Sequence, residues 1–238
     1  MNTKSTISYT NIYKFPDPRE ADKDGLVAIG GTLNSEILYS AYIQGIFPWY
    51  SDDSPILWWS PDPRMVLFPE NFYPGKNLFR KIRKKIFTVK CDTCFDKVIK
   101  ACATVKRKDQ QGTWITNDII KAYTEFHNDG FVHSFEVFLD DELVGGLYGV
   151  SIGKAFFGES MFHYITDTSK IALYYLVEFA KKMNFLFIDA QQSTQHLKSL
   201  GAIDISRNDF LNLLREALKY ETIKGKWTEL FDTCFNNQ

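Results

Sequence analysis

Asp189 and Gln191 stand two residues apart at the end of an apolar run, Phe185-Leu186-Phe187-Ile188-Asp189-Ala190-Gln191. A carboxylate that only accepts hydrogen bonds, next to an amide that both donates and accepts them, makes a minimal site for a polar ligand. Side chains alternate along a strand, so Phe187, Asp189 and Gln191 are expected on one side and Ile188 and Ala190 on the other. An acid after four apolar residues is costly to bury unless something binds it. The alternative is an Asp that caps a following helix. A second strand, residues 154–162, favours the site, because Glu159 alternates there with Phe157 and Met161 against Phe156, Gly158, Ser160 and Phe162. Two buried-looking strands then each carry one carboxylate.

The elements that must position these groups are legible along the chain. Residues 1–64 hold six of the eight prolines and one clear helix, which starts near Asn34 or Ser35, carries Ile37, Leu38, Ala41 and Tyr42 as its apolar stripe and stops at Gly45. This stretch reads as a small, loop-rich N-terminal domain. Three tryptophans, Trp49, Trp58 and Trp59, follow among prolines that forbid regular helix, either to plug an interdomain seam or to stack on a flat ligand. From residue 65 to 238 helices alternate with strands, the pattern of a mixed sheet covered by helices. Helices are expected over 77–85, 95–103, 117–127 and 169–183, and another opened by Ser206 with Asp209 three residues on. Strands over 134–139, 142–151 and 154–162 form an antiparallel meander with a turn at Asp140-Asp141, and Gly145, Gly146 and Gly149 mark bulges or close backbone approach. Meander, helix, strand is the order of acetyltransferase-like folds, so the expected class is α+β with a GNAT-like mixed sheet and flanking helices.

Composition narrows the function classes. With 45% hydrophobic and 24% charged residues in 238, the chain is neither disordered nor fibrous and can bury one sizeable core with a smaller annex. A net charge of -1 announces no global nucleic-acid binder, so any such surface must be local. One candidate exists. In the helix expected over 77–85, Leu78, Phe79 and Ile82 are assigned inward while Arg80, Lys81, Arg83, Lys84 and Lys85 crowd the rest. Lys106-Arg107-Lys108 adds a second basic step. Such a run is either a solvated face or, since the charges repel without an intervening acid, a phosphate-binding one. Cysteines at 91, 94, 102 and 234 make no disulfide framework, and Cys91-Asp92-Thr93-Cys94 lacks a second ligand pair, so structural thiols are expected and no metal. Without an apolar leader or a membrane-length run, a cytoplasmic protein is expected.

Taken in order, several tracts resemble the leucyl/phenylalanyl-tRNA-protein transferase family. They are Gly25-Leu26-Val27-Ala28-Ile29-Gly30-Gly31, Gly45-Ile46-Phe47-Pro48-Trp49, Trp58-Trp59-Ser60-Pro61-Asp62-Pro63-Arg64, Gly112-Thr113-Trp114-Ile115-Thr116 and Leu143-Val144-Gly145-Gly146-Leu147-Tyr148-Gly149. The match continues through Phe157-Gly158-Glu159-Ser160-Met161-Phe162, Ser169-Lys170, Ile188-Asp189, Gln191 and His196-Leu197-Lys198-Ser199-Leu200-Gly201-Ala202, and the resemblance extends over about residues 15–214. Thr32 replaces a usual Asp, Ala190 a usual Cys that points away from the polar pair, and Tyr164 a common Arg, which is expected to weaken one phosphate or carboxylate contact.

The resemblance implies transfer of Leu or Phe, and also Met, from aminoacyl-tRNA to the α-amino group of proteins beginning with Lys or Arg, marking them for N-end-rule degradation. It implies no cofactor, since an ester is already activated, and a monomer is the default. On this reading Gln191 holds the attacking amine through its side-chain carbonyl, Asp189 orients that amide and eases proton departure, and Glu159 reads the acceptor's positive charge. Trp49 and Trp114 flank the 3′ adenosine, Phe157, Met161, Leu176 and Ile188 form the amino-acid pocket, and the basic helix grips the acceptor stem. The rivals are a GNAT-type acetyltransferase and a non-catalytic RNA-binding module. Against the first, the turn His163-Tyr164-Ile165-Thr166-Asp167-Thr168-Ser169 has no glycine with which to cradle a pyrophosphate.

Overall fold

The computed structural model describes Tyr9 and residues 12–105 and 113–235. The basic step Lys106-Arg107-Lys108 and Gly112 lie outside the described residues.

The first strands among the described residues form a three-stranded antiparallel sheet, β1 (Leu26–Ile29), β2 (Phe47–Pro48) and β3 (Leu57–Trp59), in the order β1-β3-β2. Between β1 and β2 runs α1 (Ser35–Tyr42). Its start is fixed by Asn34, whose Oδ1 accepts the Ile37 N–H at 2.9 Å, and its end by Gly45, which adopts φ +78°. Leu38, Ala41 and Tyr42 are buried as the stripe requires.

The larger sheet has seven strands. In chain order they are β4 (Arg64–Leu67), β5 (Thr88–Cys91), β6 (Val132–Leu139), β7 (Glu142–Ile152), β8 (Ala155–His163), β9 (Phe187–Gln191) and β10 (Ile203–Ile205). The spatial order is β10-β4-β9-β8-β7-β6-β5, antiparallel throughout except for the parallel pair β8 and β9. The β6–β7 turn is Asp140-Asp141, both left-handed at φ +49° and +63°, which matches the twist of a tight hairpin.

Helices α2 (Gly75–Arg83), α5 (Thr168–Lys182) and α8 (Thr228–Phe235) pack on one face of this sheet, with α6 (Gln195–Lys198) near its edge. On the other face lie α3 (Phe95–Thr104), α4 (Asn117–Asn128) and α7 (Arg207–Ala217), together with α1. Ser206 opens α7 as the pattern demands, its Oγ accepting the Asp209 N–H at 3.1 Å. In α5, Ile171, Leu176, Val177 and Phe179 are buried against the sheet, each contributing roughly 1.5–3 kcal/mol of transfer free energy. Helix α5 approaches β7 so closely that a Cβ on Gly145 would stand 2.2 Å from Thr168 Oγ1, which is why glycine is required there. The α+β, acetyltransferase-like order is thus the order found, while α6 and α8 are not foreshadowed by periodicity.

One expected face is wrong. Helix α2 begins two residues earlier than the sequence suggests and turns Leu78 inward, leaving Phe79 45% exposed. Leu78 and Ile82 lie four residues apart on one stripe, and Phe79 falls outside it.

Candidate functional site

The site forms where β8 and β9 cease to pair. Their parallel register ends at Phe157↔Asp189, although β8 runs on to His163 and β9 to Gln191. Both strands also carry a bulge just there. Tyr148 pairs with Ser160 and Gly149 with Gly158, so Glu159 is an extra residue in β8. Met65 pairs with Gln191 and Val66 with Asp189, so Ala190 is the extra residue in β9. Bulges re-aim side chains. In β9 the kink places Gln191 at φ +61°, and the Asp189 Oδ1 accepts the Gln191 backbone N–H at 2.9 Å, holding the turn.

Asp189 is fully buried, and what binds it is Arg64 at the start of β4. The guanidinium donates from Nε to Oδ1 at 2.9 Å and from Nη2 to Oδ2 at 2.6 Å, a bidentate pair. Its Nη1 donates to the Gly45 carbonyl at 3.3 Å, and its planar face lies 4.8 Å from the Phe47 ring and 4.2 Å from the Phe210 ring. The apolar run around Asp189 calls for such a partner without revealing which residue it is. A signal is nevertheless present in Arg64-Met65-Val66-Leu67, a lone cation heading an apolar strand.

Glu159 is the hub of the polar cluster. Its Oε1 accepts from the Tyr42 hydroxyl at 2.7 Å and from Gln191 Nε2 at 2.8 Å, and its Oε2 accepts from the Tyr123 hydroxyl at 3.2 Å. Burial pushes the Glu159 carboxyl up to about 7 against the downward pull of the two phenols, with nearby Asp189 adding to the rise. Burial likewise raises both Tyr42 and Tyr123 well above the ordinary phenol range, so they remain donors. The acid that touches the Gln191 side-chain amide is therefore Glu159, whereas Asp189 touches the Gln191 backbone. Tyr42 and Tyr123 read in sequence as apolar stripe residues, and nothing in their spacing marks the hydroxyls.

Beside the cluster opens a cavity of about 450 Å³. Met161, Leu176 and Ile188 line it, as expected, joined by Leu147, Leu173 and Leu197. Phe157 does not. It is fully buried on the opposite face of the sheet, packed on Tyr42 with ring centroids 5.1 Å apart. Simple alternation places Phe157 and Met161 together, but the extra residue at Glu159 reverses the faces beyond it.

The tryptophans divide between plug and platform. Trp58 is buried and donates from Nε1 to the Gly30 carbonyl at 3.0 Å, so it is a plug. Trp49 is 38% exposed and edge-on to Trp59, whose Nε1 donates to the Trp49 carbonyl at 2.7 Å. Tyr50 lies beside Thr116, which brings the Trp49 loop to the stretch that carries the part-buried Trp114. On the basic helix, Lys81 is tied to Asp167 at 2.6 Å and Arg80 to Asn77 Oδ1 at 2.6 Å. Arg83, Lys84 and Lys85 are exposed, and among the described residues no carboxylate pairs with them. Asp167 also binds Lys170 at 3.0 Å, and the Lys81 hydrogen bond, foremost, holds its carboxyl below the usual range.

A mixed seven-stranded sheet in which a meander, a helix and a strand follow in order, with its two parallel strands parting, is an acetyltransferase-like fold. Comparison with known proteins gives the particular family. The model of the leucyl/phenylalanyl-tRNA protein transferase matches residues 66–215, and that of its N-terminal domain matches residues 31–62. The leucyl/phenylalanyl-tRNA--protein transferase of Legionella pneumophila (strain Corby) is 51% identical over 222 residues, 93% of this chain and 99% of its own. That of Thermodesulfovibrio yellowstonii is 52% identical over 218 residues, 92% of this chain and 89% of its own. A solved structure of a conserved protein of unknown function from Bacteroides thetaiotaomicron is similar with a TM-score of 0.43 and 12% identity, over 69% of this chain and 57% of that one. The chain belongs to the leucyl/phenylalanyl-tRNA protein transferase family and is an aminoacyltransferase, with aminoacyl-tRNA as donor and a protein as acceptor.

Proposed function

We propose that this enzyme moves Leu or Phe, and also Met, to the N-terminal α-amino group of proteins beginning with Lys or Arg, and so marks them for N-end-rule degradation. The observation that carries this reading is the Gln191 amide, fixed across the strand gap by Glu159 at 2.8 Å, beside an apolar cavity of about 450 Å³. Because its N–H faces the carboxylate, its Oε1 is the atom left to receive an amine N–H.

In the reaction the amine nitrogen bonds to the ester carbonyl carbon, the bond to the tRNA ribose oxygen breaks, and the proton lost by the amine balances the one gained by that oxygen. An N-terminal amine titrates near ~7.7–8.0, so much of it is free base at neutral pH and orientation is the main requirement. Leu147, Met161, Leu173, Leu176 and Ile188 receive the transferred side chain. Such a pocket separates Leu, Phe and Met by only about 1–3 kcal/mol per methylene. Asp189 is a positioning residue, holding the Gln191 backbone while Arg64 neutralises it. Glu159, half ionised near pH 7, fixes the amide and is the group drawn to the ionised form when a cationic N-terminal residue enters. Trp49 and Trp114 flank the 3′ adenosine, and Arg80, Lys81, Arg83, Lys84 and Lys85 face the acceptor stem. Tyr42, from the small N-terminal unit of residues 1–64, and Arg64, where that unit meets β4, both reach the cluster. The enzyme acts as a monomer. The cytoplasm, where aminoacyl-tRNA is made, is its place of action.

The acetyltransferase alternative meets an obstacle at the N-terminus of α5, where the Asp167 carboxylate stands and a coenzyme pyrophosphate would need to sit. One assay separates the readings. Labelled Leu-tRNA is offered with a protein beginning with Arg, with the same protein beginning with Ala, and, separately, acetyl-CoA replaces the tRNA. Transfer to the Arg protein alone is expected, and its absence defeats the proposal.

A further inference from the structure

Helix α2 carries a feature that a phosphate-gripping face does not need. Phe79 is 45% exposed, and among the described residues neither a second ring nor a cation covers its face. It lines a surface depression of about 700 Å³ with Lys76, Asn77, Arg80, Arg83 and Lys84. Lys76, Phe79 and Arg83 are spaced three and four residues apart, so they stack along one side of the helix with the ring between two cations. An aromatic ring framed by positive charge fits a nucleotide, with the cations on its phosphates and the ring on its base. Bases inside an A-form duplex present no open face to a protein side chain. The ring is therefore matched to a nucleotide outside the duplex, and the amino-acid-bearing end of a tRNA supplies these in its unpaired 3′ tail.

We propose that Phe79 stacks on an unpaired nucleobase of the bound tRNA tail, held between Lys76 and Arg83, which take the adjoining phosphates. This rests on the reading of α2 as the tRNA-facing helix and adds to it an apolar, salt-insensitive contact. Because the side chain is exposed, its replacement leaves the fold intact.

The test measures binding of two hairpin RNAs by fluorescence anisotropy over a range of salt concentrations. One has an acceptor stem with its unpaired 3′ tail and the other the same stem with a blunt end. Phe79→Ala is expected to weaken the tailed hairpin about tenfold, with the slope of log K against log salt unchanged, and to leave the blunt hairpin unaffected. Phe79→Tyr is expected to keep wild-type affinity. Lys84→Ala, as a control, lowers the salt slope for both RNAs. Equal losses on the two hairpins, or wild-type binding by Phe79→Ala, overturn the stacking proposal while Lys84→Ala still supports the helix as the RNA face. An unchanged slope with Lys84→Ala overturns the helix assignment itself, and the stacking proposal with it.

Discussion

Glu159 sets the behaviour of the site at the scale of single residues. Its carboxyl titrates near 7 in the folded protein, raised from the ordinary carboxylate value by burial. Between that ordinary value and about 7 the folded state holds a proton that the unfolded chain has released, so stability falls as pH rises through this window. The effect is on the order of 3 kcal/mol, one pKa unit being worth about 1.4. Urea unfolding of wild type against Glu159→Gln should therefore show the wild type losing ground from pH 4.5 to about 7 and levelling off beyond it, and parallel curves would contradict the buried, protonated carboxyl. The same titration should appear in function. With an Arg-initiated acceptor, wild-type kcat/KM is expected to rise through pH 7 as the carboxylate ionises, and the Glu159→Gln profile to be flatter, because no charge then develops opposite the cation.

At the scale of elements, the Arg64–Asp189 pair fastens four pieces together: the Gly45–Phe47 turn through a carbonyl and a ring, β4, β9 and the Phe210 face of α7. Removing one partner leaves the other charge buried and alone, at a cost of about 3–5 kcal/mol, while removing both together leaves no orphaned charge. In a double-mutant cycle by urea unfolding, Arg64→Met and Asp189→Leu should each cost that much, and the double variant clearly less than their sum. Strict additivity would mean the pair is not coupled. These elements also show which parts of the molecule are legible in the sequence. The meander, α5 and the capped starts of α1 and α7 follow from local signals, namely alternation, 3.6-residue periodicity and side-chain caps. The bulge at Glu159 does not, because an extra residue is defined only by the partner strand, and it alone sends Phe157 to the wrong face of the expected pocket. Arg64 escapes assignment for a similar reason, since its partner lies 125 residues away. The polar pair itself is visible because an acid in an apolar strand is anomalous on local grounds.

At the scale of the whole molecule, the nearly neutral chain gathers a cluster of positive charge on one surface helix and the turn after it. Lys81 is already committed to Asp167, whereas Arg83, Lys84 and Lys85 are open. Counterion release then predicts unequal effects: Arg83→Ala and Lys84→Ala should each reduce the salt slope of tRNA binding by about 0.7–0.9, the range for one phosphate no longer neutralised on a single strand or a duplex, and Lys81→Ala by distinctly less. Equal reductions would show that the Lys81–Asp167 bond opens on binding.

The amide at the strand gap is put to the test by steady-state transfer of labelled Leu from Leu-tRNA to an Arg-initiated protein in Gln191→Ala. That side chain lies outside the Arg64–Asp189 pair, so the variant should fold, bind tRNA with an unchanged KM, and lose about 100-fold in kcat through misplacement of the attacking amine. Wild-type kcat in a folded Gln191→Ala protein would contradict the role given to this amide.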